Sequence, residues 1–173
     1  MPNLFIIGGC NGAGKTTASL NILPDILDCK EFVNADTIAY GLNPLSPEAV
    51  SFEAGKIFLT RIDDLINEGK TFALESTISS KTLIGIIEKA KNKKYKVNSI
   101  FFWLQNPEIA IQRVAERMKL GGHNIEEETI VRRYYRGINN FFEVYSKISD
   151  YWILIDSTSD VPENIAQGEK EGT

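Results

Sequence analysis

The sequence predicts an α/β fold in which a parallel sheet of five strands carries helices on both faces. Three observations lead there. Short apolar runs alternate with amphipathic helical patterns along the 173 residues. The runs are rich in Ile, Val and Phe and mostly lack polar alternation, as strands covered on both faces require. A glycine-rich segment joins the first run to the first helical pattern. Strictly alternating β and α elements form a parallel sheet with crossover helices.

The first strand is read over residues 4–7 (Leu-Phe-Ile-Ile), and a helix follows from Lys15. The second strand covers 32–35. Residues 47–68 place Val50, Ala54, Ile57, Phe58, Ile62, Leu65 and Ile66 at helical spacing and stop at Gly69, a residue that favours helix ends. The third strand covers 71–74. A shorter helix over 82–91 turns Leu83, Ile86, Ile87 and Ala90 inward, and the fourth strand covers 97–104. Pro107 opens the next helix in the first-turn position proline favours, and the helix runs to Gly121-Gly122. Residues 126–149 read as one long helix with Val131, Tyr134, Tyr135, Ile138, Phe141, Phe142 and Tyr145 on one side. The fifth strand covers 151–155, and the polar tail after Ser157 is expected to fray at its end.

Composition sets outer limits. The apolar and charged fractions, 43% and 24%, are those of an ordinary globular protein, and this length suits a single domain over 1–173. A net charge of −4 argues against a general nucleic-acid binder. No apolar stretch approaches a membrane span, and with no basic region at the N-terminus and its short apolar run assigned to the first strand, no signal peptide is expected. Two cysteines, Cys10 and Cys29, are too few for a disulfide framework and suit a cytoplasmic protein.

The chemistry begins at Gly9-Cys10-Asn11-Gly12-Ala13-Gly14-Lys15-Thr16, which satisfies G-x-x-x-x-G-K-[ST] in the strand–loop–helix setting that motif needs. Its glycines let successive backbone N–H groups turn inward around a phosphate chain. Gly9, Asn11, Gly12, Ala13, Gly14, Lys15, Thr16 and Thr17 are therefore the expected ATP contacts. Lys15 reaches the β- and γ-phosphates, and the Thr16 hydroxyl is placed to ligate Mg²⁺. The fold class becomes the three-layer P-loop NTPase fold. Cys10 reads either as a tolerated small residue or as a thiol whose oxidation blocks ATP.

Ligands of such folds bind beyond the carboxyl ends of the strands. Asp36 follows the second strand, beside the phosphate loop or one strand away. Its carboxylate reads as the base that takes a proton from an attacking hydroxyl, as a helix cap, or as both. Glu75 and Thr77 follow the third strand as a second acid, orienting Mg²⁺-bound water or contacting substrate, and a hydroxyl contact. Five of the six arginines, Arg113, Arg117, Arg132, Arg133 and Arg136, fall on two helices joined by Gly121-Gly122-His123-Asn124. Arg113/Arg117 and Arg132/Arg136 are four apart and share helix faces. This region, about 113–136, reads as a lid closing on the triphosphate, or as surface pairing with nearby glutamates. His123 is a candidate phosphate contact. The run Lys89, Lys91, Lys93, Lys94 and Lys96 reads as a solvated face.

At these residues the chain resembles the zeta-toxin family of P-loop kinases. The likeness runs through Gly-Cys-Asn-Gly-Ala-Gly-Lys-Thr-Thr from Gly9, Phe-Val-Asn-Ala-Asp-Thr-Ile-Ala-Tyr-Gly-Leu-Asn-Pro from Phe32, Phe-Ala-Leu-Glu-Ser-Thr from Phe72, and Ile-Ala-Ile-Gln-Arg-Val-Ala-Glu-Arg from Ile109, followed by Gly121-Gly122-His123. The resemblance implies ATP-dependent phosphorylation of a small-molecule hydroxyl, UDP-N-acetylglucosamine in the best-known members, and restraint by a protein antitoxin. It implies Asp36 as general base, Lys15 and Thr16 on ATP and Mg²⁺, Glu75 and Thr77 on substrate and metal-bound water, and Arg113 on the transferring phosphoryl group. The family's further lid arginine falls near Gly121-Gly122-His123, so that role passes to His123, Arg117, Arg132, Arg133 or Arg136. The alternative is a P-loop ATPase coupled to a protein partner. A GTPase switch is disfavoured because Asn92-Lys93-Lys94-Tyr95 lacks the terminal Asp of a guanine-reading motif.

Overall fold

The computed structural model describes residues 1–25, 27–122 and 124–170. Its strands are β1 (Asn3–Gly9), β2 (Phe32–Asn34), β3 (Phe72–Ser76), β4 (Lys96–Trp103), β5 (Tyr151–Asp156) and β6 (Glu163–Glu169), in the sheet order β2-β3-β1-β4-β5-β6. The helices are α1 (Lys15–Asp25), α2 (Ala35–Leu42), α3 (Ser51–Glu68), α4 (Leu83–Asn92), α5 (Pro107–Lys119), α6 (Glu127–Asn140) and a short α7 (Ser146–Ile148). A 3₁₀ turn, Pro47–Val50, precedes α3.

The expected parallel sheet is present, with six strands rather than five. The sixth is the polar tail, which pairs antiparallel with β5 from Tyr151↔Glu169 to Asp156↔Glu163. Its sequence, Glu-Asn-Ile-Ala-Gln-Gly-Glu, offers little apolar signal because most of its side chains are exposed; backbone pairing to β5 holds it. The predicted helix over 126–149 is broken by a π-helical turn, Phe141–Tyr145. That turn buries Phe141 and Tyr145 together, with Phe141 stacked on Phe101 at 4.7 Å and edge-on to Trp152 at 5.8 Å. Tyr135 and Phe142, each next in sequence to a buried aromatic residue, face solvent.

The two faces of the sheet are read directly from β1. Leu4 and Ile6 pack with Phe58, Ile62, Leu65, Leu83, Ile87 and Phe141 on one side, under α3 and α4. Phe5 and Ile7 pack with Leu23, Ala110, Val114, Ile130 and Tyr134 on the other, under α1, α5 and α6. Successive strand residues point to opposite faces, so this non-alternating apolar run serves two cores. β1 lies between β3 and β4, so chain connections leave it in both directions. Its carboxyl end is the topological switch point where α/β folds hold ligands.

Candidate active site

The phosphate loop leaves β1 at Gly9 and enters α1 at Lys15. Gly12 has φ +79°, and a Cβ there would lie 2.8 Å from the Ala110 carbonyl oxygen on α5. Both the left-handed backbone and the close approach demand glycine. Ala13 and Cys10 are buried beneath the loop. Burial pushes the Cys10 thiol up, with the Lys15 and Arg113 charges opposing it. The protonated thiol therefore fits the packing reading of Cys10 better than the redox one.

Lys15 Nζ donates to the Cys10 carbonyl at 2.9 Å and sits 3.8 Å from Glu75 Oε1, with both side chains at least nine-tenths buried. The Thr16 hydroxyl reaches both Glu75 oxygens, at 2.8 and 3.0 Å. This convergence depends on strand register. β3 runs beside β1 with Ile7 opposite Glu75 and Gly8 opposite Ser76, so Glu75 stays within the strand instead of following it. A hydroxyl and a carboxylate meeting beside the loop lysine fit a phosphate-bound Mg²⁺. That ion takes few protein ligands, and among the described residues no group of three or more His, Cys, Asp or Glu gathers into a metal site.

Asp36 stands in the first turn of α2, one strand removed from the phosphate loop because β2 pairs with β3. It is not the helix cap. Asn34 is, its Oδ1 accepting from the Asp36 and Thr37 amides at 2.8 and 3.2 Å. Among the described residues the Asp36 carboxylate has no hydrogen-bond or ionic partner. Asp36 lines two adjoining spaces. The larger, about 910 Å³, is also lined by Asn11, Gly12, Gly14, Lys15, Thr16, Thr17 and Glu75, with Arg113, Arg117, Tyr40 and Leu45 around it. The smaller, about 190 Å³, gathers Lys15, Asp36, Glu75, Thr77 and Arg133.

The five arginines part company. Arg113 donates to the Ser157 and Thr158 carbonyls at 2.8 and 2.9 Å and to the Gly12 carbonyl at 3.5 Å, fastening the phosphate loop to the chain after β5. Arg117 is exposed on the rim of the larger space. Arg133 donates to Asn11 Oδ1 at 3.0 Å, and Asn11 is only 5% exposed. Arg132 bonds the Thr129 hydroxyl at the surface and lines neither space, and Arg136 faces a separate cleft. Among the described residues none of the five is ion-paired; Arg61 pairs with Glu31 instead. The surface-pairing alternative therefore does not describe this cluster. The lysine run behaves as a solvated face, with Lys89 and Lys91 paired to Asp63 and Asp150. His123 lies outside the described residues.

Sequence reasoning missed Asn34, Tyr40, Leu45 and the Asn11–Arg133 contact. Asn34 carried a readable signal, an N-cap residue at a strand–helix junction. The others depend on how α2 and α6 are laid against the sheet.

The sequence profile of the zeta toxin family matches residues 46–160. This chain belongs to the zeta toxin family. The match begins after the phosphate loop and Asp36, so those motifs are observations additional to it. An uncharacterized protein of Haemophilus influenzae is 31% identical over 128 residues, covering 73% of this chain and 88% of that protein. Among solved structures, one from the PezAT chromosomal toxin–antitoxin system of Streptococcus pneumoniae superposes with a TM-score of 0.74 at 19% identity, over all of this chain and 74% of that one. The AvrRxo1-ORF1:AvrRxo1-ORF2 complex with sulphate ions gives 0.71 at 16% identity, over 96% of this chain and 58% of that one. These structural likenesses show a shared α/β fold, a mostly parallel sheet flanked by helices. Family membership supports ATP-dependent phosphoryl transfer as the general class of activity. Among the described residues no helix is long and apolar enough to cross a membrane.

Proposed function

We propose that this chain is a kinase that moves the γ-phosphoryl group of ATP to a hydroxyl of a small molecule. The observation that carries the reading is the gathering of Lys15, Asp36, Glu75, Thr77 and Arg133 around one small space beside the phosphate loop. The loop amides and Lys15 bind the phosphate chain. Thr16 and Glu75, in contact with each other at 2.8 and 3.0 Å, would hold Mg²⁺, which would supply charge neutralisation on the phosphates. Asp36 accepts the proton of the attacking hydroxyl and aligns it with the phosphorus. Thr77 positions the acceptor.

Arg133, rather than Arg113, supplies the guanidinium for the transferring phosphoryl group. Arg113 is held by three carbonyls at its Nη1 and Nη2 groups and does not line the small space, whereas Arg133 has one neutral side-chain partner and lies with the acids. Arg117 closes from the rim. The larger space, with Tyr40 and Leu45 at its edge, has room for an acceptor as large as a UDP-amino sugar such as UDP-N-acetylglucosamine. An antitoxin-type protein partner belongs to the same proposal and rests on the family alone.

The test is a mass-spectrometric screen of purified protein with Mg-ATP and a panel of UDP-sugars, nucleosides and small alcohols, with Lys15→Ala as control. The expected result is one acceptor gaining a single phosphoryl group, absent with the control. ATP consumption in which no panel member or added acceptor gains phosphate would favour the partner-coupled ATPase.

A further inference from the structure

Beyond Thr77 the chain forms a second cleft, of about 360 Å³, lined by Ser79, Ser80, Lys81, Tyr135, Arg136, Asn139 and Asn140. Two cations face it and no carboxylate lines it, in a chain whose net charge is −4. Neither the Lys81 nor the Arg136 side chain has an ion pair or hydrogen bond among the described residues. Both cations are solvent-exposed and free to turn toward a single anion in the cleft. The Ser79 and Ser80 hydroxyls and the Asn139 amide add neutral donors, and Arg136 brings the planar fork that suits phosphate oxygens.

The walls of the cleft are built rather than incidental. Asn140, 7% exposed, donates from Nδ2 to the Ile78 carbonyl at 2.8 Å. Tyr145 of the π-helical turn donates to the Ser80 carbonyl at 2.8 Å. The Ile78 amide is held by Ser76 Oγ at 3.0 Å, and Ile78 itself sits at φ +46°, a costly backbone for a β-branched residue. Gly137 lets α6 approach so closely that a Cβ there would stand 2.9 Å from the Thr77 carbonyl oxygen. The loop from Thr77 to Lys81 is thus fixed against α6 in a strained form that presents Ser79, Ser80 and Lys81 to Arg136. The cleft also touches the reaction site. Thr77 Oγ1 and Ser79 Oγ are 2.9 Å apart, and Arg133 and Arg136 are one helical turn apart on α6.

From this geometry we infer that the cleft is a binding site for a phosphate-bearing small molecule, held by Lys81 and Arg136 with the Ser79 and Ser80 hydroxyls. The phosphate comes either from the acceptor of the transfer reaction or from a separate metabolite. The site stands on its own residues and does not require the kinase reading.

The test uses the full chain saturated with Mg²⁺ and the non-hydrolysable analogue AMP-PNP, so that the phosphate loop is filled. Inorganic phosphate is then titrated while backbone amides are followed by NMR. Saturable shifts at Ser79, Ser80, Lys81 and Arg136 are expected. They should weaken at least tenfold in Lys81→Ala/Arg136→Ala and persist in Arg132→Ala, which alters an arginine outside the cleft. Absence of saturable shifts at those amides, or equal affinity in the double variant, overturns the inference. The source follows from kinetics with UDP-N-acetylglucosamine. A tenfold rise in its KM in the double variant, with the KM for ATP unchanged, assigns the site to the acceptor's own phosphates. An unchanged acceptor KM, with phosphate still bound by the wild type, assigns it to a separate metabolite.

Discussion

Replacing Glu75 by Gln tests whether the buried charge at the heart of the site is organised as described. Glu75 accepts twice from Thr16, at 2.8 and 3.0 Å, and stands 3.8 Å from Lys15 Nζ. At that separation and an effective dielectric of about 20, the gross Lys15–Glu75 attraction is about 4 kcal/mol. Desolvation of the two groups takes back a large part of it. Gln keeps the shape and one acceptor oxygen but converts a charge-assisted bond to a neutral one, a difference of about 1 kcal/mol. It also leaves Lys15 buried with only the Cys10 carbonyl. A net loss of about 2 kcal/mol is expected, which in a chain of this length lowers Tm by about 4–8 °C. The assay is urea and thermal unfolding of wild type, Glu75→Gln, Lys15→Met and the double variant, without nucleotide. The cycle should return a Lys15–Glu75 coupling of about 1–2 kcal/mol. A coupling indistinguishable from zero, with Glu75→Gln melting like wild type, would refute the claim that these charges hold each other in place.

The arginines make opposite predictions. Arg133→Ala should lower kcat by about 10³-fold with Tm little changed, the scale of an arginine acting on a transferring phosphoryl group. Arg113→Ala should instead cost stability, about 2 kcal/mol for its carbonyl bonds, and weaken ATP binding through the loosened phosphate loop; denaturant unfolding and nucleotide titration separate the two. Asp150 is pushed up by burial, but the Val97 amide and the bond and charge of Lys91 outweigh this and hold its carboxyl below the usual range. Its stabilisation is therefore present above the unfolded carboxylate value of about 3.9 and fades as pH falls through the lower folded value. Asp150→Asn should cost about 1 kcal/mol at pH 7, with the gap to wild type closing below pH 4. Cys10, buried and with its thiol pushed up, should resist iodoacetamide at pH 7.5 in the folded protein and react on unfolding, as read by mass spectrometry.

The phosphate loop was legible because its chemistry is local: spacing alone places Gly12, Lys15 and Thr16. Strand-end logic found Asp36 and Glu75, since parallel α/β folds concentrate ligands at one edge. It did not find that Glu75 grips Thr16, which depends on the register of β3 beside β1. Helical periodicity paired Arg132 with Arg136, yet the structure sends Arg132 to the surface and Arg136 to the second cleft. Periodicity fixes faces on one helix but not what each face meets. The apolar stripe over 126–149 was drawn too wide: Ile130, Tyr134, Phe141 and Tyr145 are buried at helical spacing, while Tyr135 and Phe142, each one residue further round, face out. β6 was invisible because its exposed, polar side chains leave only backbone pairing to β5 to define it.

The most direct test of the central claim is single-turnover transfer by Asp36→Asn, measured beside Mg-ATP binding to the same variant. The acceptor is the one identified by the screen, followed by mass spectrometry. The change keeps the shape of the side chain and leaves the α2 cap on Asn34 intact. If Asp36 is the base, ATP affinity stays within about twofold while the transfer rate falls by about 10²-fold or more, the scale of general-base catalysis. Transfer at the wild-type rate with intact ATP binding would contradict the account and remove Asp36 from the reaction.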